Sequence, residues 1–217
     1  MDNKITIAID GPAGAGKSTI AKIIGKNLNL IYINTGAMYR AVTLKALEKN
    51  INPTEILKLE SLIDTMDICF INDELILNGE NINKELTTPR ISNNVSQYAS
   101  IKEVRVKLVE IMRKMSQKYN VIMDGRDIGT VVLKDANYKF FLTASAEERA
   151  ERRFKELKDK NIEVDYNNIL EEIIKRDYID STREVDPLKK ANDAIEIDTT
   201  GLNIDEVVNL ISSYVKK

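Results

Sequence analysis

Gly11-Pro12-Ala13-Gly14-Ala15-Gly16-Lys17-Ser18 decides the reading of this chain, because it fits the spacing G-x-x-x-x-G-K-[ST] and stands between two suitable elements. Upstream, Ile5-Thr6-Ile7-Ala8-Ile9 reads as a buried strand; downstream, Thr19 to Leu28 reads as a helix. A strand that runs through a glycine turn into a helix start aims several N–H groups, and the positive end of the helix dipole, at one small volume. That volume suits a polyphosphate. Lys17 is placed to neutralise the β and γ phosphates, and the Ser18 hydroxyl to give one ligand to a Mg²⁺ that otherwise keeps water and phosphate oxygens.

Composition narrows the partners. The 217 residues suit one α/β domain with an insertion or two. With 32 Lys plus Arg against 34 Asp plus Glu, the net charge of −2 gives no general reason to bind a nucleic acid polymer or an anionic membrane. Any anion site must therefore be a local concentration of basic groups. Cys69 is the single cysteine, which excludes an internal disulfide and a cysteine metal cluster, fits a reducing compartment, and is expected to be a small buried apolar residue. The start Met1-Asp2-Asn3-Lys4 shows no signal-peptide apolar region and no stretch reaches the length of a membrane span, so the expected location is the cytoplasm. Histidine and tryptophan are absent, which excludes a histidine base, a phosphohistidine and histidine-ligated zinc. Where lysine outnumbers arginine about two to one, each arginine is a candidate for a role that needs its planar fork.

Strand and helix patterns alternate along the rest of the chain. Leu30 to Ile33 is a short apolar run, and Asn34-Thr35-Gly36-Ala37-Met38-Tyr39-Arg40 opens an amphipathic stretch through Lys49 with Thr35 as a candidate N-cap. Pro53 to Met66 reads as a short helix. Asp67 to Ile82, DICFINDELILNGENI, carries β-formers broken by Asn72-Asp73 and Asn78-Gly79, the pattern of a small inserted antiparallel meander. Helical periodicity resumes from Pro89 through Tyr119 with a break near Ser100, and Val104, Leu108, Ile111 and Met115 form its apolar face. Val121-Ile122-Met123 and Tyr138 to Leu142 are further strands. A charge-dense helix from Ala146 to Lys160, a helix over about 167–179, a strand over Ala194 to Asp198 and a closing helix from Ile204 to Val215 complete the chain. Such alternation implies a parallel sheet covered on both faces.

Ligands of such sheets gather beyond the carboxyl ends of the strands. The phosphate loop, Thr35 to Arg40 and Asp124-Gly125-Arg126-Asp127 all follow strands, so they should crowd one edge. Lys17, Arg40 and Arg126 then converge, with arginine-bearing loops after Lys175 placed to close over them. Several guanidiniums beside a triphosphate point to a second phosphate as acceptor, because an ionised phosphate needs positioning and charge screening more than a base. Asp124 can act as a base or hold the Mg²⁺ hydration shell; the magnesium role is preferred. Arg149, Arg152 and Arg153 share one face of the charge-dense helix, which is either a salt-bridged solvated surface or a lid whose arginines, Arg153 among them, reach the transferring phosphoryl group.

IDGPAGAGKST, NTGAMYRA, NNVSQYAS, DGRDIGT, KRDYIDSTREVDPL and NDAIEIDTTGL together resemble the bacterial cytidylate kinases, nucleoside monophosphate kinases of the P-loop group, over essentially the whole chain. The resemblance implies one α/β kinase domain over 1–217: a parallel β-sheet core flanked by helices, a monophosphate-binding insert at about 67–87 and a helical lid at about 146–166. It also implies Mg²⁺-dependent transfer of the γ-phosphoryl of ATP to CMP or dCMP by a monomer. Gly11, Pro12, Ala13, Gly14, Ala15, Gly16, Lys17, Ser18 and Thr19 would hold ATP; Thr35, Tyr39, Arg40 and Arg126 would hold the acceptor and its phosphate, with Gly36 allowing close approach. Arg176, Asp180 and Arg183 look like the family's sugar and phosphate contacts on a later loop, and Ser96, Arg105 and Asp127 like its cytosine contacts. Cytosine offers an amine beside ring N3 and O2, which a carboxylate and a guanidinium complement; uracil would set its O4 against the carboxylate. Taken alone, Ser96 and Arg105 would pass for helix-surface residues. Asn34 stands where the family more often has aspartate, which alters a local cap or salt bridge but not the activity class. A kinase for UMP, AMP or a hydroxylated metabolite and a slow ATP-hydrolysing switch are the competing readings.

Overall fold

A computed structural model describes residues 4–159 and 161–215. Five strands, β1 (Thr6–Asp10), β2 (Ile31–Asn34), β6 (Val121–Gly125), β7 (Tyr138–Thr143) and β8 (Ile195–Asp198), form one sheet in the order β2-β6-β1-β7-β8 with every pairing parallel. Alternation along the strands builds two cores. Ile7, Ile9, Tyr32, Ile122 and Phe140 pack on α1 (Lys17–Leu28) and α9 (Ile204–Tyr214), whereas Ala8, Ile33 and Met123 pack on α2 (Thr35–Glu48) and α6 (Lys102–Lys118). Both faces are covered, so these strands read as unbroken apolar runs.

Between α3 (Ile56–Asp64) and α4 (Asn83–Leu86) lies a second sheet of β3 (Ile68–Ile71), β4 (Glu74–Leu77) and β5 (Glu80–Asn81), antiparallel throughout. Its turns fall where the sequence placed them: Asn72 and Asp73 have φ of 50° and 64°, Asn78 and Gly79 of 51° and 84°. Paired positive φ values match the right-handed twist of a hairpin. Ile68, Leu75 and Leu77 enter the α2–α6 core. Cys69 is exposed, contrary to the expectation of burial, because strand alternation turns it away from the side that Ile68 buries.

The stretch read as one broken helix is α5 (Pro89–Ala99) followed by α6, and the charge-dense helix is α7 (Ala146–Asp159), packed on α8 (Tyr166–Thr182) through Ala150, Ile169 and Ile173. The expectation that α7 extends to Lys160, and the reading of Met1 to Asn3, fall outside the described residues. Among the described residues no helix is long and apolar enough to cross a membrane.

Asn34, and not Thr35, is the N-cap of α2: its Oδ1 accepts from the Ala37 N–H at 2.9 Å. Asparagine supplies the same acceptor as aspartate, so the cap survives the exchange. Thr35 is the first helical residue and its hydroxyl donates instead to the Asp124 carbonyl at 2.7 Å, fastening α2 to β6. Asn34→Ala is expected to cost about 1 kcal/mol in urea unfolding, and Asn34→Asp to preserve stability.

Candidate active site

The phosphate loop leaves β1 with Gly11 at φ 144°, where an added Cβ would lie 2.1 Å from the Leu142 carbonyl oxygen of β7. Only glycine fits that position. The loop then turns Lys17 inward, 5% exposed, with Nζ donating to the Pro12 carbonyl at 2.5 Å. Burial lowers the Lys17 pKa well below the usual lysine range and Arg126 lowers it further, against the pull of Asp124. A bound polyphosphate would supply the anion this ammonium lacks.

Asp124, at the end of β6, is anchored from three sides. Its Oδ2 accepts from the Ser18 hydroxyl at 2.8 Å, its Oδ1 from the buried Tyr32 hydroxyl at 2.7 Å, and its carbonyl from Thr35. Ser18 and Asp124, expected together at a metal site, are therefore adjacent. No group of three or more His, Cys, Asp or Glu able to hold a metal occurs among the described residues.

Around this floor stand Arg40, Arg126 and Arg176. Burial lowers the pKa of Arg40, and Arg126 and Arg153 lower it further; burial and then Arg126 push Arg176 down to about 10. Arg40 Nε and Arg176 Nε are buried without a hydrogen-bond partner. Arg126 depresses Arg40 and Arg176, and Arg40 depresses Arg176, against the opposing pull of Asp124, Asp177 and Asp180, an arrangement suited to receive phosphates. In a chain of net charge −2, this is the local cation cluster that composition required.

Arg126 also donates through Nε to Asp180 Oδ2 at 2.7 Å, while Arg176 and Arg183 approach the same carboxylate at 4.0 and 3.9 Å. Burial raises the Asp180 pKa, but the three arginines outweigh it and hold this carboxyl below its usual value. Arg176 and Asp180 lie on helix α8 and Arg183 caps it, which corrects the expectation of a loop. An amphipathic reading ended that helix near Ile179, because the last turn is polar and faces the site.

Beside the cluster lies a ring of alternating charge. Arg105 Nη2 donates to Asp127 Oδ2, Arg183 Nη2 meets Asp127 Oδ1 at 3.4 Å, Arg183 Nε donates to the Asp186 carbonyl at 2.8 Å, and Arg105 Nε donates to Asp186 Oδ2 at 2.9 Å. Arg105 is 2% exposed, with its guanidinium 5.4 Å from the Tyr39 ring centre, so it is no surface residue. Ser96 is half-buried on α5, one turn before Ala99, whose carbonyl accepts from Arg105 Nη1 at 3.0 Å. Gly36 lies in the first turn of α2, with a Cβ-sized space limited only by Asn34 Oδ1 at 3.3 Å.

Arg149, read as a lid or surface arginine, is 4% exposed. It donates to the Ala13 carbonyl of the phosphate loop at 2.9 Å and to Asp177 of α8 at 2.6 Å, so it ties three elements together. Arg153 is half-exposed and pairs with Glu156 at 2.7 Å. Both line a cleft of about 830 Å³ that runs from Gly14–Ile20 to Thr199, Leu202 and Ile204. Thr199 holds Arg152 through its carbonyl at 2.7 Å. Neither this far wall nor Asp10 and Asp186 was singled out in the sequence; an acidic residue at a strand end was the available signal for Asp10.

A parallel sheet of this order, a glycine phosphate loop and a converging set of arginines define a phosphotransferase of the P-loop kinase class. The family model for cytidylate kinase matches residues 7–217. The chain belongs to the cytidylate kinase family and is an enzyme, a nucleoside monophosphate kinase. It is 72% identical over 217 residues to the cytidylate kinase of Clostridium perfringens (strain SM101 / Type A), covering 100% of each chain. It is also 61% identical over 213 residues to that of Clostridium botulinum (strain Loch Maree / Type A3), covering 98% of each. The crystal structure of an uncharacterized protein from Eubacterium ventriosum superposes with a TM-score of 0.55 at 15% identity over 98% of each chain, a likeness of fold alone.

Proposed function

We propose that the enzyme transfers the γ-phosphoryl group of ATP to CMP or dCMP, giving ADP and CDP or dCDP, as a cytoplasmic monomer in pyrimidine nucleotide metabolism. The observation that carries the reading is the adjacency of two unlike sets: a cation-rich floor around Lys17, Arg40, Arg126 and Arg176, and beside it the charge-balanced Arg105 and Asp127, joined to that floor through Arg183 and Asp180. The first suits phosphates. The second offers a guanidinium and a carboxylate together, which complements the cytosine edge. The similarity to cytidylate kinases supports that choice.

In this reading the backbone of Gly11 to Ser18 and Lys17 hold the triphosphate of ATP, whose adenosine lies in the cleft toward Leu202. Thr35, Tyr39 and Arg40 hold the acceptor, and Ser96, Arg105 and Asp127 select its base. Arg126, Arg176 and Arg183, steered by Asp180, stabilise charge on the group in transit. Ser18 and Asp124 fit a Mg²⁺ site of few protein ligands, since hydroxyl and carboxylate are 2.8 Å apart at the mouth of the loop. The ion would supply charge screening on the β and γ phosphates. Residues 67–87 serve as the monophosphate-binding insert and 146–166 as the lid.

The test is ADP formation from Mg-ATP with CMP, dCMP, UMP, AMP and shikimate offered separately. Rapid turnover with CMP and dCMP but slow turnover with UMP is expected; turnover with none of them would refute the reaction. Arg153→Ala should leave stability within about 0.5 kcal/mol and lower turnover, and an unchanged kcat would remove Arg153 from the lid's chemistry.

A further inference from the structure

Asp10 closes β1 and is 3% exposed. No cation lies within ion-pair distance of its carboxylate among the described residues. Instead Oδ1 accepts from the Ile128 N–H and Oδ2 from the Gly129 N–H, each at 2.7 Å. These are the first two N–H groups of a single π-type turn, Ile128–Val132, and they have no partner inside it. The turn is thus capped by a side chain 118 residues earlier in the chain. The residues immediately before it are Arg126 and Asp127.

Burial raises the Asp10 carboxyl to about 6, the two N–H groups and Lys17 on α1 pull it down, and Asp127 pushes it up. Lys139 of β7 flanks the same side of Gly129, where an added Cβ would lie 3.2 Å from its Cδ and 3.3 Å from Asp10 Oδ2, but its Nζ is held by Asp193 at 2.7 Å; Phe141, the residue opposite Asp10 on β7, is uncharged. Because the folded value lies above the ordinary one of 3.8, the stabilising contribution of this group is full below that pH and lost as pH rises through 6. At neutral pH the ionised carboxylate therefore costs the fold stability, so its cap on the turn is a matter of placement.

We propose that Asp10 is a positioning residue for the acceptor side of the site: by capping the turn it sets the backbone from which Arg126 and Asp127 project. It thereby joins the phosphate loop, which begins at the next residue, to the selection of the nucleotide that receives the phosphoryl group. The inference rests on the reading of Asp127 as a base contact.

Asp10→Asn keeps the shape and one acceptor but turns an N–H₂ toward one of the two N–H groups. Its kcat/KM for CMP is expected to fall about 10²-fold, mostly through KM, as a small misplacement of reacting groups does. The preference for CMP over UMP should shrink about tenfold, while affinity for a non-hydrolysable ATP analogue stays unchanged. Equal losses with CMP and UMP at unchanged acceptor KM would overturn the proposal in favour of simple destabilisation. A wild-type enzyme without any preference for CMP would instead refute the assigned function. A titration of the nucleotide-free wild type by ¹⁵N NMR stands apart from the folding of any variant. The Ile128 and Gly129 amides should move with a midpoint near 6, and Arg126 Nε with them, since its partner Asp180 titrates lower. An Arg126 Nε that does not respond over that range would also overturn the proposal.

Discussion

Arg126→Ala is expected to lower kcat by about 10³-fold or more, the loss that follows removal of an arginine placed on a transferring phosphoryl group. The fold should lose far less. Arg126 is an ion-pair partner of Asp180, but that carboxylate keeps Arg176 at 4.0 Å and Arg183 at 3.9 Å. Removing one cation also relieves Lys17, Arg40 and Arg176, whose positive charges Arg126 opposes. The net cost in urea unfolding should be about 1–2 kcal/mol. Arg126→Lys keeps the charge but not the fork, so it should recover stability and little of the turnover. Single-turnover rates with saturating nucleotides and unfolding curves on the same preparations separate the two effects. A variant with near-normal single-turnover rate would remove Arg126 from the chemistry.

Arg105→Leu should damage both fold and selectivity. Its guanidinium is the buried partner of Asp127 and Asp186 at once, and breaking a buried pair from one side leaves uncompensated charge that costs about 3–5 kcal/mol. Burial already raises the Asp127 carboxyl, while Arg105 and Arg183 lower it. Without Arg105 it must rise further. A raised carboxyl stabilises the fold below its ordinary pKa and ceases to do so as pH climbs through the folded value, so the deficit of this variant should shrink on acidification. Discrimination between CMP and UMP should fall by about 10²-fold. The measurements are unfolding curves between pH 5 and pH 8 and kcat/KM for the two nucleotides. A deficit independent of pH would show that Arg105 matters through its packing on Tyr39 and not through Asp127.

Much of the fold is legible in local sequence signals. The alternation of Ile7, Ala8 and Ile9, the repeated positions of α6, and the Asn-Asp and Asn-Gly turns of the insert are local signals, and each element formed where they pointed. The phosphate loop was legible for the same reason, since its glycines, lysine and serine act within a few residues of one another. Arg105, named only through the family resemblance, and Arg149 were not legible from their own spacing. Each is a charged side chain at helical spacing, and periodicity separates polar from apolar without telling a solvated guanidinium from one held between buried carboxylates.

What the sequence by itself determined is therefore the order of strands and helices, the phosphate loop and, through the joint motifs, the family. The tertiary structure decided which charges face one another: Asp10 against the N–H groups of Ile128 and Gly129, Arg105 between Asp127 and Asp186, Arg149 between Ala13 and Asp177. These partners are distant in the chain, and the energy of a charge depends on its burial and on what stands opposite it, quantities that exist only once the sheet and its helices have closed around the site.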